Sequence, residues 1–237
     1  MQEGFHDMNK AEAIQRLKSF GTAQNRKIYG RHGVGSNQYG VSYANQGKMK
    51  KEIKIDHRLA RALWGTGNHD ARVLATMIAD PDAADNKLLQ TWAKDLDNYI
   101  ISDSFSGYAG KTSLAKKIME KWTVAKGEWV GRTGWLILAR LAMSEDGLSD
   151  NYFLPYLRVI ESDIHTRRNR VRDAMNSALI AIGMRNGKLQ AKAIATASKV
   201  GKIKVDHGET GCKTPDAVPY ILKAVAHKKK KASKAKR

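Results

Sequence analysis

Residues 56–81, DHRLARALWGTGNHDARVLATMIADP, decide the fold. Leu59, Leu63 and Trp64 recur at the three- and four-residue spacings of an amphipathic helix. A Gly-Thr-Gly turn interrupts that pattern, and Asn68, a favoured helix N-cap, begins a second apolar pattern that runs towards the closing proline. The stretch therefore predicts two antiparallel helices joined by a short turn.

The same helical pattern continues on both sides of this pair. Strand signals are almost absent. Polar and apolar residues alternate only over Lys202–Val205, and so short a run cannot form a sheet. Paired helices predict an all-α superhelical solenoid of HEAT- or armadillo-like antiparallel pairs, with a concave basic face. An irregular helical bundle has the same local pattern and stays open. Besides the pair above, helices are predicted at Met8–Phe20, Asn86–Leu96, Asn98–Tyr108, Thr112–Trp122, Glu128–Met143, Asp150–Glu161, Thr166–Met184 and Leu189–Val200.

We expect residues 1–226 to form one helical domain. Within it, Gly30–Gly47 is rich in Gly, Asn and Ser and carries Tyr39 and Tyr43, which favours either a loop packed across the first helices or a mobile contact element. The segment 227–237, HKKKKASKAKR, contains six Lys and one Arg and no acid. Because like charges repel one another, this run predicts a basic, disordered tail.

The charge of the chain predicts a polyanionic partner. Its 42 Lys and Arg exceed its 23 Asp and Glu, and the formal net charge is +19. Cationic side chains that neutralise phosphates release condensed counterions, so nucleic acid is the favoured partner. A merely soluble basic protein and a protein on an anionic membrane surface are the alternatives. Most of the excess lies outside the tail, so the helical body must itself carry a basic surface.

Other classes of protein fit the sequence poorly. The single cysteine, Cys212, excludes an internal disulfide, and with His207 it makes only two of the roughly four ligands that structural zinc needs. We therefore predict no metal and no cofactor. No apolar run suits a signal peptide or a membrane span. These features predict a cytoplasmic protein, nucleoid-associated in a bacterium, without a membrane partner.

Two motifs of nucleotide chemistry are incomplete. Gly110-Lys111-Thr112 matches the end of a phosphate-binding loop, but Phe105 stands where that loop needs a glycine. A turn with Thr112 as the N-cap of the next helix is the better interpretation. The acids of residues 81–87 resemble a nuclease signature, but they lie between predicted helices and not on adjacent strands. A helix stop followed by an acidic helix start explains them.

Arginines beside tryptophans predict a phosphate-binding surface. Residues 167–172 contain four arginines at a predicted helix start, and Arg132 stands between Trp129 and Trp135. Arginine grips phosphate while an aromatic ring stacks on sugar or base. A solvated charged face is the alternative for any single arginine. The predicted DNA-binding residues are Trp129, Arg132, Arg168, Arg170, Arg172 and Lys111.

Tyr99 and Asp103 are four residues apart and share one face of a predicted helix, next to Ile100 and Ile101. A carboxylate in an apolar helix costs free energy unless it is paired. Asp103 is therefore either an ion-paired structural residue or a functional acid, and the residues alone leave both open.

Several segments, in order, resemble the AlkD-like DNA alkylation repair family, which consists of HEAT-like repeat DNA glycosylases. The resemblance covers about Gly30 to Val200 and continues into a likeness of residues 205–216 to one branch of that family. It implies a superhelix whose concave basic face holds duplex DNA, and an enzyme that releases cationic N3- or N7-alkylated purines without metal or cofactor. We expect the protein to be a monomer. The segments that carry it are Tyr39–Ala44, Asp56–Trp64, Asn68–Ala75, Tyr99–Asp103, Trp129–Arg132 and Val171–Asn176.

The resemblance also implies roles for three residues. Asp103 matches the catalytic carboxylate, Arg132 matches an arginine that holds the DNA backbone, and Tyr99 stands where better-studied members carry a tryptophan. Ser177 occupies the position of a second tryptophan, which is a departure from the family pattern. That departure supports the alternative of a non-catalytic helical-repeat module that binds DNA or structured RNA. A protein-binding solenoid is a third, weaker hypothesis.

Overall fold

The computed structural model describes residues 8–144 and 147–235, and the side chains within them except at 229 and 232–235. In the described part all regular secondary structure is helical, apart from one isolated antiparallel bridge between Gly21 and Val41. The all-α prediction is therefore confirmed. The chain divides into two compact units. One extends up to Leu114 and includes Gly208–Thr210, and the other comprises Ala115–His207 and the residues from Gly211 onward.

The first unit is built around the helix pair that the sequence predicts most clearly. Asn68 caps the second helix of the pair by accepting a hydrogen bond from the backbone of Ala71. Behind the pair, Trp64 stacks on Trp92 with ring centroids 4.2 Å apart and planes at 3°. Both rings are buried and contribute a large apolar area to this core. The helices of the unit are α1 (Lys10–Phe20), α2 (Ala23–Arg31), α3 (Tyr43–Ile53), α4 (His57–Trp64), α5 (His69–Ile78), α6 (Asn86–Lys94) and α7 (Tyr99–Ala109).

The second unit is organised around α9, which packs against both α8 and α11. Two glycines of α9 permit these close approaches, Gly131 towards Val171 and Gly134 towards the backbone of Trp122. Trp122 and Trp135 are buried in the core of the unit. Its helices are α8 (Ala115–Thr123), α9 (Glu128–Met143), α10 (Asp150–Asp163), α11 (Asn169–Arg185), α12 (Gly187–Val200) and α13 (Ala217–Ala235).

The region Gly30–Gly47 contains more helix than the sequence led us to expect. Its first residues end α2 and its last residues begin α3, so only the segment 32–42 is irregular. Thr22 and Ser42 cap these helices by accepting hydrogen bonds from backbone N–H groups. Neither helix shows a strong apolar stripe, and α2 contains no buried residue, so hydrophobic periodicity could not reveal them.

Two helices begin later than predicted, because hydroxyl groups at the predicted starts bond elsewhere. The Thr112 hydroxyl donates to the carbonyl of Ala109, and α8 begins only at Ala115, so the predicted N-cap at Thr112 is wrong. The Thr166 hydroxyl likewise donates to the carbonyl of Asp163, and α11 begins at Asn169. Short polar side chains often bond to the preceding turn in this way, which extends that turn and delays the next helix.

The basic tail is helical as far as it is described. Where the sequence favours disorder after residue 226, α13 continues to Ala235, and the last two residues lie outside the described part. Ile221 is fully buried and anchors the helix beside Gly183. Lysine and alanine have high helix propensity, and cations near a helix C-terminus interact favourably with its dipole, which offsets their mutual repulsion.

Within residues 8–144 and 147–235, no helix has both the length and the apolar character needed to cross a bilayer.

Candidate active site and DNA-binding residues

A buried carboxylate fixes the irregular segment 32–42. Asp70, in the first turn of α5, is fully buried. One of its oxygens, Oδ2, accepts hydrogen bonds from the backbone N–H groups of Tyr39 (2.6 Å) and Gly40 (3.1 Å). The other, Oδ1, accepts one from Val41 (2.8 Å). The segment is therefore held firmly against α5. Of the two alternatives that the sequence left open, this agrees with the packed loop and not with the mobile element.

His69 adds a second attachment of this segment. Its backbone N–H donates to the carbonyl of Asn37 (2.9 Å), and its imidazole is 6% exposed and lies edge-on to Tyr29. Burial lowers the pKa of His69, and the charge of Arg72 adds to this, while the carboxylates of Asp70 and Asp97 act in the opposite direction. The folded protein therefore favours neutral imidazole.

The shift makes folding stability depend on pH. Because the pKa of His69 is lowered on folding, its contribution is complete above the unfolded-state value of 6.5 and is lost as the pH falls below it. One such proton gives a slope of at most about 1.4 kcal/mol per pH unit. We expect His69→Gln to flatten the dependence of unfolding free energy on pH between pH 7.5 and 5.5, measured by urea denaturation. His227→Gln, which replaces an exposed histidine of α13, is the control. Equal slopes for wild type and H69Q would contradict the expectation.

Tyr99 and Asp103 lie on α7, one helical turn apart, as predicted. Asn98 fixes the start of the helix by accepting a hydrogen bond from the backbone of Ile101 (3.1 Å). Both Tyr99 and Asp103 are half-buried. The Tyr99 hydroxyl forms a hydrogen bond with Nδ1 of His32, and the two rings pack edge to face. The carboxylate thus stands beside a tyrosine whose orientation is fixed from the irregular segment.

Tyr43, at the start of α3, also reaches this part of α7. Its hydroxyl lies 3.3 Å from Oγ of Ser104, the residue after Asp103. Burial of the hydroxyl raises the pKa of Tyr43, and the carboxylates of Asp103 and Asp70 raise it further, although the hydrogen bond with Ser104 acts in the opposite direction. The tyrosine hydroxyl therefore stays protonated at neutral pH next to the carboxylate of Asp103.

The predicted basic residues of the second unit occupy distinct environments. Arg168 is the exposed N-cap residue of α11. Arg170 is half-buried, with NH1 3.1 Å from Nδ1 of His207, and its backbone N–H donates to the Glu128 carboxylate (2.7 Å). Arg172 is half-buried and donates to the side chain of Asn169 (3.3 Å). These arginines are thus held in place around the first turn of α11.

Arg132 is enclosed by protein. Only 4% of it is exposed, and its NH1 donates both to the carbonyl of Arg170 (2.9 Å) and to the carboxylate of Asp173 (2.8 Å). This placement differs from the exposed phosphate ligand that the sequence led us to expect. An arginine buried with its carboxylate and carbonyl partners fixes the helix start to which those partners belong.

The structure also shows the environments of the remaining predicted DNA-binding residues and of Ser177, the position that departs from the family pattern. Trp129 is half-buried in the first turn of α9, and Lys111 is exposed after the end of α7. Ser177 is half-buried, and its hydroxyl donates to the carbonyl of Asp173 (3.1 Å). Arg167, the first arginine of the cluster, donates to the carbonyls of Thr123 (2.7 Å) and Ala125 (3.5 Å) and so serves the C-terminal end of α8.

Sequence reasoning missed several partners of these residues. His32 and Tyr43 belong to the region Gly30–Gly47, for which the sequence left a packed loop and a mobile contact element open. Neither Asp173 nor Glu128 was predicted to contact the site residues. The tyrosines in that region were a usable signal, because exposed aromatic residues in a fixed segment are common in binding sites. The ion pair of Arg132 had no such signal, since 41 residues separate it from Asp173.

Within the described residues, no group of three or more His, Cys, Asp or Glu side chains is arranged to hold a metal ion.

A solved structure described as "a new family of proteins related to the HEAT-like repeat DNA glycosylases with affinity for branched DNA structures" is 25% identical to the chain, with a TM-score of 0.86 over 93% of this chain and 95% of that one. The fold is therefore that of the HEAT-like repeat proteins related to these glycosylases.

The family follows from the sequence match. The family model described as "DNA alkylation repair enzyme" matches residues 13–221, and the chain belongs to this family. Among similar proteins, Lin0241 of Listeria innocua and Lmo0209 of Listeria monocytogenes, both described as uncharacterized, are each 27% identical over 209 residues. Each of these matches covers 84% of this chain and 89% of the relative.

Proposed function

We propose that the protein is a DNA glycosylase that releases cationic N3- or N7-alkylated purines from double-stranded DNA, and that it acts as a monomer without metal or cofactor. The observation that carries this proposal is the half-buried carboxylate of Asp103, one helical turn from Tyr99, in a chain of the DNA alkylation repair family. A chromosomal substrate would place the protein inside the cell.

The chemistry requires little beyond a fixed negative charge. An alkylated purine with a positive charge is already a good leaving group, so the barrier lies in the oxocarbenium-like deoxyribose. A carboxylate held close to that sugar stabilises the developing positive charge and can orient the attacking water. The ring of Tyr99 offers a negative face to the same cation. Asp103 is thus the catalytic residue, and Tyr99 is an aromatic contact.

Phosphate binding would come from the basic residues around α11, with Arg168 as the exposed contact and Arg170 and Arg172 beside it. Trp129, exposed Lys111 and the exposed lysines near the end of α13, Lys228, Lys230 and Lys231, would add further contacts. In this proposal Arg132 acts through its partners, because it holds the carbonyl of Arg170 and the carboxylate of Asp173. Contacts of this kind make affinity fall steeply with salt.

The proposal predicts that Asp103→Asn slows base release. Removing a charge that acts mainly in the transition state costs on the order of 100-fold in rate, so we expect a decrease of about that size with little change in DNA affinity. Release of 7-methylguanine and 3-methyladenine from alkylated duplex DNA is the measurement. Asp82→Asn, an exposed carboxylate in the turn before α6, is the matched control. Equal release by wild type and D103N would remove Asp103 from its role.

A second candidate function is non-catalytic binding of branched DNA. Ser177 in place of a second aromatic residue supports it, because one wall of the expected site is then missing. The similarity to a structure described as having affinity for branched DNA supports it as well. Binding of a four-way junction at least 10-fold tighter than of linear duplex, with no release of any alkylated base by wild type, would favour this candidate over the glycosylase.

A further inference from the structure

An exposed aromatic ring stands beside the proposed catalytic carboxylate on a helix other than α7. Tyr43 is 47% exposed although its hydroxyl is turned inward towards Ser104. The ring therefore presents apolar surface to solvent while the polar end is anchored. Among the described residues, the other large hydrophobic side chains with similar or greater exposed fractions are Ile55, Val124, Met143, Tyr220 and Leu222.

The anchoring places this ring next to Asp103. Its hydrogen-bond partner, Ser104, directly follows Asp103 on α7, and the charge of Asp103 contributes to the raised pKa of Tyr43. The ring thus lies within electrostatic reach of the carboxylate. Tyr99 lies one helical turn before Asp103 on α7, so two tyrosines, one from α3 and one from α7, lie near this carboxylate.

The position of Tyr43 is fixed by the fold. Ser42 caps α3 by accepting a hydrogen bond from the backbone of Asn45 (3.2 Å), and Val41, the residue before the cap, donates to buried Asp70. A side chain presented from a capped helix start, preceded by a pinned segment, loses little further conformational freedom on binding. An aromatic ring in such a place is well suited to stack on a base or to pack against a sugar.

We propose that Tyr43 is a further DNA-contacting residue, which supplies a second aromatic surface to the nucleotide at Asp103. The inference rests on the proposed binding of DNA at this site and adds a residue to it.

The test compares the affinity of variants for a fluorescein-labelled duplex that contains a single tetrahydrofuran abasic-site analogue. Tyr43→Ala removes the ring and is expected to weaken binding about 10-fold, the usual order for loss of one stacked aromatic contact. Tyr43→Phe keeps the ring and should bind within about twofold of wild type, because only the hydrogen bond to Ser104 is lost. The matched control is Tyr220→Ala, which removes a tyrosine of similar exposure, 49%, from α13.

A second readout separates contact from structural damage. Since a ring contact displaces no counterions, Y43A should leave the slope of log affinity against log salt unchanged, and its thermal unfolding should match wild type. Equal affinities of wild type and Y43A, or equal losses in Y43A and Y220A, would overturn the assignment of Tyr43. Failure of wild type to bind any DNA at low salt would instead overturn the proposed function itself.

Discussion

Replacement of Asp70 by alanine is expected to lower the free energy of unfolding by about 4 kcal/mol, the largest loss that we predict for a single side chain. The substitution removes the acceptor of three backbone hydrogen bonds at once. Hydrogen bonds to a charged group are stronger than neutral ones, and the N–H groups of Gly40 and Val41 would be left buried without it. Urea denaturation followed by circular dichroism measures the loss.

Two further variants calibrate this expectation. Asp70→Asn keeps one acceptor oxygen but turns an amide N–H₂ towards N–H donors, so it should lose roughly half as much. Asp85→Ala removes an exposed carboxylate that caps α6 by accepting a single bond from Leu88, and should cost about 1 kcal/mol. A loss in D70A no larger than that in D85A would show that the segment 32–42 is not held by Asp70.

Gly134→Ala is expected to cost about 3 kcal/mol, because a methyl group at this position has no space. A Cβ atom there would lie 2.6 Å from the backbone N of Thr123, 2.6 Å from the carbonyl carbon of Trp122 and 2.9 Å from the Cβ of Trp122. Backbone atoms cannot rotate away as the end of a flexible side chain can. Helices α8 and α9 would have to separate, which exposes packed surface in the second unit.

A glycine in open space provides the control for Gly134. Gly47 lies within α3, and apart from the backbone of its own helix no atom lies within 4 Å of the place that a Cβ would take. Gly47→Ala should therefore raise stability by about 1 kcal/mol, the difference in helix propensity between the two residues. If Gly134→Ala also stabilised the protein, the prediction would be wrong, and the packing of α8 against α9 would tolerate a side chain at position 134. Thermal and urea unfolding measure both variants.

Where apolar residues followed a helical period, the sequence predicted the helices well. The interval Glu128–Met143 matches α9, and Asn68 caps α5 as expected. Periodicity failed for α2 and α3, because their faces are too polar for an apolar stripe to stand out. The N-cap preference of threonine gave a wrong prediction at Thr112, because its hydroxyl bonds to the preceding turn and does not cap the next helix.

The candidate site was predictable in part. The spacing of Tyr99 and Asp103 placed both on one face of α7, because helical geometry alone relates residues four apart. Their neighbours could not be deduced, because His32 lies in the segment 32–42, which Asp70 holds in place, and Tyr43 begins the helix that directly follows it. A contact between distant parts of the chain depends on how the helices pack, which no local spacing encodes.

The sequence by itself determined the helical class, the family resemblance and the excess of positive charge. These properties are carried by periodicity, by ordered motifs and by composition, all of which are local or additive. The tertiary structure decided the role of each arginine. Arg168 is exposed, whereas Arg132 is buried against Asp173 and Arg167 serves the end of α8. Identical guanidinium groups differ in role because burial and the position of hydrogen-bond acceptors are set by packing between helices.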